Sequence, residues 1–129
     1  MTYTLFVLIK KYSILKFHTE AVLPDWIYSS DFYSVTKTEE EISVVTAQTD
    51  NISDKIVSSK DWRILKIEGQ LDFSLTGVIA DIAAILKKNK ISIFTISTYN
   101  TDYILVKEND LEISVKALRE NDYDIRQGN

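Results

Sequence analysis

GVIADIAAILKKNKISIFTISTYNTDYILV, residues 77–106, is the stretch that decides the fold. From Gly77 to Asn89, apolar residues recur at Val78, Ile82 and Ile85 and again at Ile79, Ala83 and Leu86. That is the spacing of a helix with a wide apolar stripe. Ala80 and Ala84 let it approach a sheet closely, and Lys87, Lys88 and Lys90 place positive charge at its C-terminal end, where the helix dipole favours it. Ile91–Ser97 is rich in β-branched residues and reads as a strand. Tyr99–Asp102 turns the chain, and Tyr103–Lys107 returns as a second strand. A plain two-residue hairpin needs little more than Asn or Gly at its turn. Here Thr98, Tyr99, Asn100, Thr101 and Asp102 crowd polar groups into it, which points to a binding edge on a small α+β module.

Outward from this stretch, Trp62–Glu68 alternates apolar and polar residues and reads as a strand ended by Gly69. Residues 70–76 form a loop in which Ser74 or Thr76 can cap the helix. Downstream, Asn109 or Asp110 caps a second helix with a stripe at Leu111, Val115 and Leu118. Asp122 closes it, and Tyr123–Arg126 is a short last strand. The order β-α-β-β-α-β predicts a four-stranded antiparallel sheet with two helices on one face. Toward the N-terminus, Leu5–Ile9 and Ile14–Phe17 read as strands, and Pro24 opens a short helix through Ile27. Phe32–Thr36 and Ile42–Thr46 form a hairpin around the acidic turn Glu39–Glu41, and Asn51–Lys60 holds one or two helical turns.

The two halves echo each other. FYSVTKTEEEISVV, residues 32–45, lies on IFTISTYNTDYILV, residues 93–106, at an offset of 61 without a gap, with an acid after each turn, Glu41 and Asp102. This points to an internal duplication into an N-terminal domain over 1–60, the degenerate copy, and a C-terminal domain over 61–129.

Composition narrows the function classes. The chain has 129 residues, 45% hydrophobic and 26% charged, which is globular and not disordered. A net charge of -4 argues against nucleic acid and anionic membranes as partners. With no cysteine there is no disulfide, thiolate nucleophile or Cys-based metal site, and the chain fits a cytoplasmic protein. The apolar run Thr2–Ile9 is followed by Lys10–Lys11, the reverse of a signal peptide, and is too short to span a bilayer, so no targeting signal is expected. The single histidine, His18, reads as a surface residue, and no nucleophile elbow, phosphate loop or metal-spaced cluster stands out. No catalytic residue, metal or cofactor is expected.

The string STYNTDYILV, with GVIADIAAILKKNKISIF before it and Asp110–Leu111 after it, resembles ACT-domain proteins, specifically small bacterial tandem-ACT proteins related to the cytosolic arginine sensors. FYSVTKT with EEEISVV and the Trp62 strand extends the resemblance over nearly the whole chain. The resemblance implies two tandem ferredoxin-like ACT domains and a non-enzymatic amino-acid sensor with its ligand at an ACT–ACT interface in a homodimer. It further implies a site with Ser92 and Ile93 on one side and Gly77, Val78, Thr98, Tyr99 and Asp102 on the other, Asp102 matching the acid that holds the guanidinium in the sensors. Those sensors also carry an acid shortly before the loop glycine. Leu75 and Thr76 stand there in this chain, and Asp72 is the nearest acid. Paired carboxylates strengthen guanidinium recognition, so the departure bears on arginine more than on amino acids in general.

Each site residue also has a plain reading. Asp102 can be a turn former bonded to its own backbone. Ser92 and Thr98 can be exposed strand residues, and Tyr99 surface packing. Gly77 can leave helix-start N–H groups open to a carboxylate, or can allow close helix–sheet packing. Trp26 and Trp62 read as core or interface anchors. The alternative to a sensor is a structural or protein-interaction module with an empty site.

Overall fold

The computed structural model describes residues 3–68 and 77–128. The loop caps Ser74 and Thr76 lie outside the described residues. Eight strands, two α-helices and two short 3-10 turns are described: β1 (Thr4–Val7), β2 (Tyr12–Phe17), β3 (Ser34–Lys37), β4 (Ile42–Ala47), β5 (Val57–Ile67), α1 (Val78–Lys88), β6 (Ile93–Ser97), β7 (Asp102–Lys107), α2 (Leu111–Glu120) and β8 (Asp124–Gln127). The chain forms two compact units, one of residues 1–9 and 63–129, the other of residues 10–62. The expected division at 60/61 thus falls inside β5, and the first nine residues go with the C-terminal unit.

In the C-terminal unit the strands run in the order β6, β7, β5, β1, β8. The expected four-stranded antiparallel sheet is therefore corrected to five strands. β1 lies antiparallel to β5, with Leu5 opposite Ile67, and parallel to β8, with Leu5 opposite Ile125. The insertion has a physical cause. Leu5 and Val7 are fully buried, and they complete a core with Leu65, Ile67, Ile82, Leu86, Ile104, Val106, Leu118 and Ile125. A strand with alternate residues this deeply buried needs a partner on each edge.

The helices follow their stripes. Ile82, Ile85 and Leu86 of α1 are buried, with Val78 and Ile79 half-buried against the same core. Asp110 occupies the cap position of α2, but its side chain makes no capping bond; a 3-10 turn over Glu108–Asp110 leads in. Both helices end alike. The N–H of Ile91 donates to the Leu86 carbonyl (3.1 Å) and that of Lys90 to Lys87 (2.9 Å); Tyr123 to Leu118 (3.0 Å) and Asp122 to Arg119 (3.1 Å) repeat the pattern. These are Schellman closures with a left-handed residue after the cap, here Lys90 (φ 60) and Asp122 (φ 69).

The N-terminal unit pairs β3, β4, β2 and the first part of β5, all antiparallel. Leu15, Ile27, Ile42, Val44 and Ile52 form its core, with Trp26 half-buried against them. Pro24 sits one residue before the short helix, which is a 3-10 turn over Asp25–Ser29. The helical turns expected over 51–60 are corrected: strand β5 already begins at Val57. Its alternation is hidden by a bulge. Tyr12 faces Trp62 but Ile14 faces Ser59, and Asp61 takes the left-handed conformation at φ 67. Gln48 holds that bulge, accepting from the Asp61 N–H at 2.7 Å and donating to its carboxylate at 2.9 Å.

Candidate ligand-binding site

Gly77 precedes α1 at φ 92, ψ −7, a left-handed conformation, with no side chain capping the helix. A Cβ there would meet nothing within 4 Å, so the glycine answers to backbone conformation and not to close helix–sheet packing. Its carbonyl accepts from the Asp81 N–H at 2.7 Å, leaving the N–H groups before Asp81 without intrahelical partners. Val78, the first helical residue, is half-buried against the core.

Asp81 is the residue that sequence reasoning missed. It lies in the first turn of α1, and its carboxylate accepts a short hydrogen bond from the Tyr123 hydroxyl. It puts negative charge at the helix start, where the dipole favours it. Burial first, then this bond and the Asp81 charge, push the Tyr123 phenol well above its ordinary range. The signal available in the sequence was an acid four positions after a helix-opening glycine.

At the hairpin, the turn proper is Thr98–Thr101, and Asp102 is the first residue of β7, opposite Ser97. The Thr98 N–H donates to the Thr101 carbonyl at 2.8 Å, and the Thr101 N–H to the Thr98 hydroxyl at 3.2 Å. The buried Thr101 hydroxyl donates to the Ile67 carbonyl at 2.8 Å, fastening the turn to β5. Asp102 is half-buried and does not bond its own backbone as a turn former would; its carboxylate accepts a short bond from the Ser97 hydroxyl across the strand pair. Tyr99 projects at the turn, 76% exposed.

This register also corrects the repeat. In the N-terminal hairpin Lys37 faces Ile42, and the Thr38 N–H and hydroxyl close the turn on Glu41 at 2.9 and 3.2 Å. Thr38 therefore matches Thr98, and the offset is 60, not 61. Glu41 corresponds to Thr101, and Asp102 to Ile42. A slip of one residue exchanges the faces of a strand, so the acids after the two turns are not equivalent.

The expected residues fall into two groups. Gly77, Val78, Thr98, Tyr99 and Asp102 lie toward one end of the hairpin. The chain reaches it because α1 leads through residues 89–92 straight into β6, so the helix runs back along the strands and its start lies toward the turn. Exposed Ser92 and half-buried Ile93, which pairs with Val106, lie at the other end. The five residues of β6 separate the groups by about 16 Å, farther than one amino acid reaches. Within one copy the structure does not bring them together.

The two sheet edges of the C-terminal unit differ. On β8, the N–H groups of Asp124 and Gly128 point to β1, so Ile125 turns its carbonyl to the open edge. The Arg119 guanidinium donates to that carbonyl at 2.8 Å and blunts the edge. Strand β6, Ile-Phe-Thr-Ile-Ser, carries no charge and pairs only with β7 among the described strands.

Residues 57–120 match a family model described as the ACT domain, and residues 10–55 match a second model, described as an N-terminal domain. Among curated proteins, the chain is similar to the human cytosolic arginine sensor for mTORC1 subunit 1, at 35% identity over 98 residues that make up 70% of this chain and 30% of that protein. It spans about 30% of the length of the curated relatives it matches. Among solved structures, it is similar to an Agrobacterium tumefaciens protein at 28% identity and a TM-score of 0.90, covering 100% of this chain and 96% of the other. An aspartate kinase of Clostridium acetobutylicum, an allosteric enzyme, shares the fold at a TM-score of 0.68 and 14% identity, over 90% of this chain and 34% of the kinase. Among the described residues no helix is long and apolar enough to cross a membrane.

Proposed function

The chain belongs to the ACT-domain family through residues 57–120, and on that premise we propose that it is a non-enzymatic, cytoplasmic sensor of an amino acid, bound between ACT domains of a homodimer. Two tandem ACT domains, over 1–60 and 61–129, make up the chain in this reading. The first is degenerate: its described residues hold one 3-10 turn where the second unit has two α-helices. The sensor takes no cofactor and engages neither nucleic acid nor membrane.

The observation that carries the reading is the separation of the site residues to opposite ends of one hairpin. Ser92 and Ile93 of one copy meet Gly77, Val78, Thr98, Tyr99 and Asp102 only if another ACT domain supplies the second group. A ligand between copies then ties binding to assembly, as a sensor requires. The uncharged β6 edge is where a partner strand can pair, since Arg119 blunts β8. The uncapped start of α1 offers N–H groups to an α-carboxylate, and Asp102 offers a carboxylate to a cationic group. The similarity to an arginine sensor supports an amino-acid ligand.

A melting-temperature screen against the common amino acids, read together with light scattering, tests this. One amino acid should raise the melting temperature, with a gain of about 2.7 kcal/mol at a hundredfold excess over its dissociation constant, and the mass should be that of a dimer. A monomer across a wide concentration range, or no response to any amino acid, overturns it.

One pair of observations favours the second reading, an interaction module with an empty site. Asp102 is already engaged by Ser97, and Asp81 places a negative charge at the helix start that repels a ligand carboxylate. A dimer that ignores every amino acid would select this reading.

A further inference from the structure

We propose that β8 is a second interface between copies of the chain, self-complementary in one register and held shut by Arg119. The inference goes beyond the ligand site. It rests on the reading above only in taking β6 as the edge through which a dimer already forms.

β8 lies at the edge of its sheet and pairs only with β1 among the described strands. The N–H groups of Asp124 and Gly128 donate to the carbonyls of Tyr3 and Val7, so the backbone groups of Ile125 and Gln127 face outward. A second β8 can meet them antiparallel, about a twofold axis. Outward residues must then lie opposite outward residues, which leaves few registers, and charge separates these. With Ile125 opposite Gln127 of the second copy, Arg126 faces Arg126. With Ile125 opposite Tyr123, Asp124 faces Asp124. With Gln127 opposite Gln127, only the last residues of the strand overlap. With Ile125 opposite Ile125, each Asp124 faces an Arg126. Like charges directly opposite each other destabilise a strand pair and unlike charges support it, so this last register is selected. Asp124 and Arg126 are exposed and lie 2.8 Å apart as an ion pair within one chain; two such pairs merge into a ladder of four charges. Exposed ion pairs contribute little affinity. Here they set the register, and backbone bonds hold the strands.

In that register the two Ile125 residues exchange N–H···O bonds. The carbonyl this needs is the one that Arg119 holds: its guanidinium, on the exposed side of α2, donates to the Ile125 carbonyl at 2.8 Å. Beside the edge lies a groove of about 720 Å³ lined by Leu111, Val115 and Arg119 of α2 and Gln127 of β8. Leu111 and Val115 are only half-buried against the core, and a second copy seated on the edge covers them further. Two different twofold interfaces on one chain let assembly continue past a dimer. Arg119 stops it there.

Light scattering of the full chain over a dilution series tests this, with wild type beside Arg119→Met, which keeps the apolar stem and removes the donor. Wild type should hold the mass of a dimer. Arg119→Met should rise about twofold or more above it with concentration, as the addition of whole dimers requires. Adding Arg126→Asp sets carboxylate against carboxylate at Asp124 and should return the mass to the wild-type value. Adding Asp124→Arg to that variant restores unlike signs and should restore the growth. Where Arg119→Met loses a cooperative melt by circular dichroism, Arg119→Gln, whose donor sits two bonds nearer the backbone, takes its place. A mass equal to wild type after loss of Arg119 overturns the second interface and leaves the β6 dimer standing. A monomeric wild type with a dimeric Arg119→Met does the reverse. Growth that Arg126→Asp leaves untouched comes from another surface and overturns the assignment to β8.

Discussion

Asp102 has two separable tasks. It anchors the start of β7 through Ser97, and in the proposed site it meets a cationic group. Asn is nearly the same shape and keeps a carbonyl for the Ser97 hydroxyl, so Asp102→Asn should leave the melting temperature nearly unchanged. Loss of the charge should weaken ligand binding by about 1.5–3 kcal/mol, the range for a hydrogen bond to a charged group. Calorimetric titration of both variants with the stabilising amino acid reads this; unchanged affinity removes Asp102 from the site. At this scale the sequence was informative about residue type and poor about register. Gly77 stood out because a glycine at a helix start can leave N–H groups open, and its φ of 92 gives the conformational reason for glycine there. Ser97 did not, because a cross-strand partner is legible only when the register is known to the residue. Aligning the hairpins by their acids placed it one position off.

At the scale of elements, the helix ends make the clearest case. KNKI (88–91) and ENDY (120–123) share an asparagine at the cap, whose amide donates to the carbonyl four residues back: Asn89 to Ile85 at 3.0 Å and Asn121 to Ala117 at 2.8 Å. Each is followed by a left-handed residue, and Lys90 carries a Cβ that this conformation disfavours. Lys90→Gly should therefore stabilise the chain, by up to about 1 kcal/mol after the extra freedom of glycine in the unfolded state is set against the relieved strain. Asp122→Gly should gain less, since Asp tolerates the left-handed region better than Lys. Urea denaturation of the two variants tests the ranking; a loss of stability in Lys90→Gly contradicts it. Both helices were legible because their apolar stripes are long and regular. β5 was legible only from Trp62 onward, because the bulge at Asp61 breaks the alternation on which a strand is recognised.

At the scale of the whole molecule, two buried phenols and one displaced strand govern stability. Burial foremost raises both tyrosines, with Asp31 adding to the effect on Tyr12, and Asp81 and Tyr3 adding to that on Tyr123. A phenol whose folded value lies above its unfolded value of about 10 keeps its full contribution below that pH and loses it as pH rises toward the folded value. The melting temperature should therefore fall above about pH 10, and Tyr123→Phe should flatten that fall while losing the bond to Asp81. A parallel decline in the variant would exclude Tyr123 as a cause. β1 was readable as a strand, since TLFV alternates into buried positions, but its partners were not: nothing local reveals that it inserts between β5 and β8, over a hundred residues from the latter. The consequence can be tested by cutting the chain. A fragment of residues 61–129 keeps α1, α2 and four strands of its unit, yet it lacks Leu5 and Val7, both fully buried in that core. Burying each such side chain contributes about 1.5–3 kcal/mol, together a large share of the roughly 5–15 kcal/mol that holds an ordinary domain. Removing β1 also leaves β5 and β8 with facing unpaired edges. The fragment should melt without cooperativity and aggregate. The same fragment with residues 1–9 joined after residue 129 through a flexible linker should regain a cooperative transition by circular dichroism. A cooperative transition in the unlinked fragment would mean that β1 adds little, and that the four-stranded sheet stands without it.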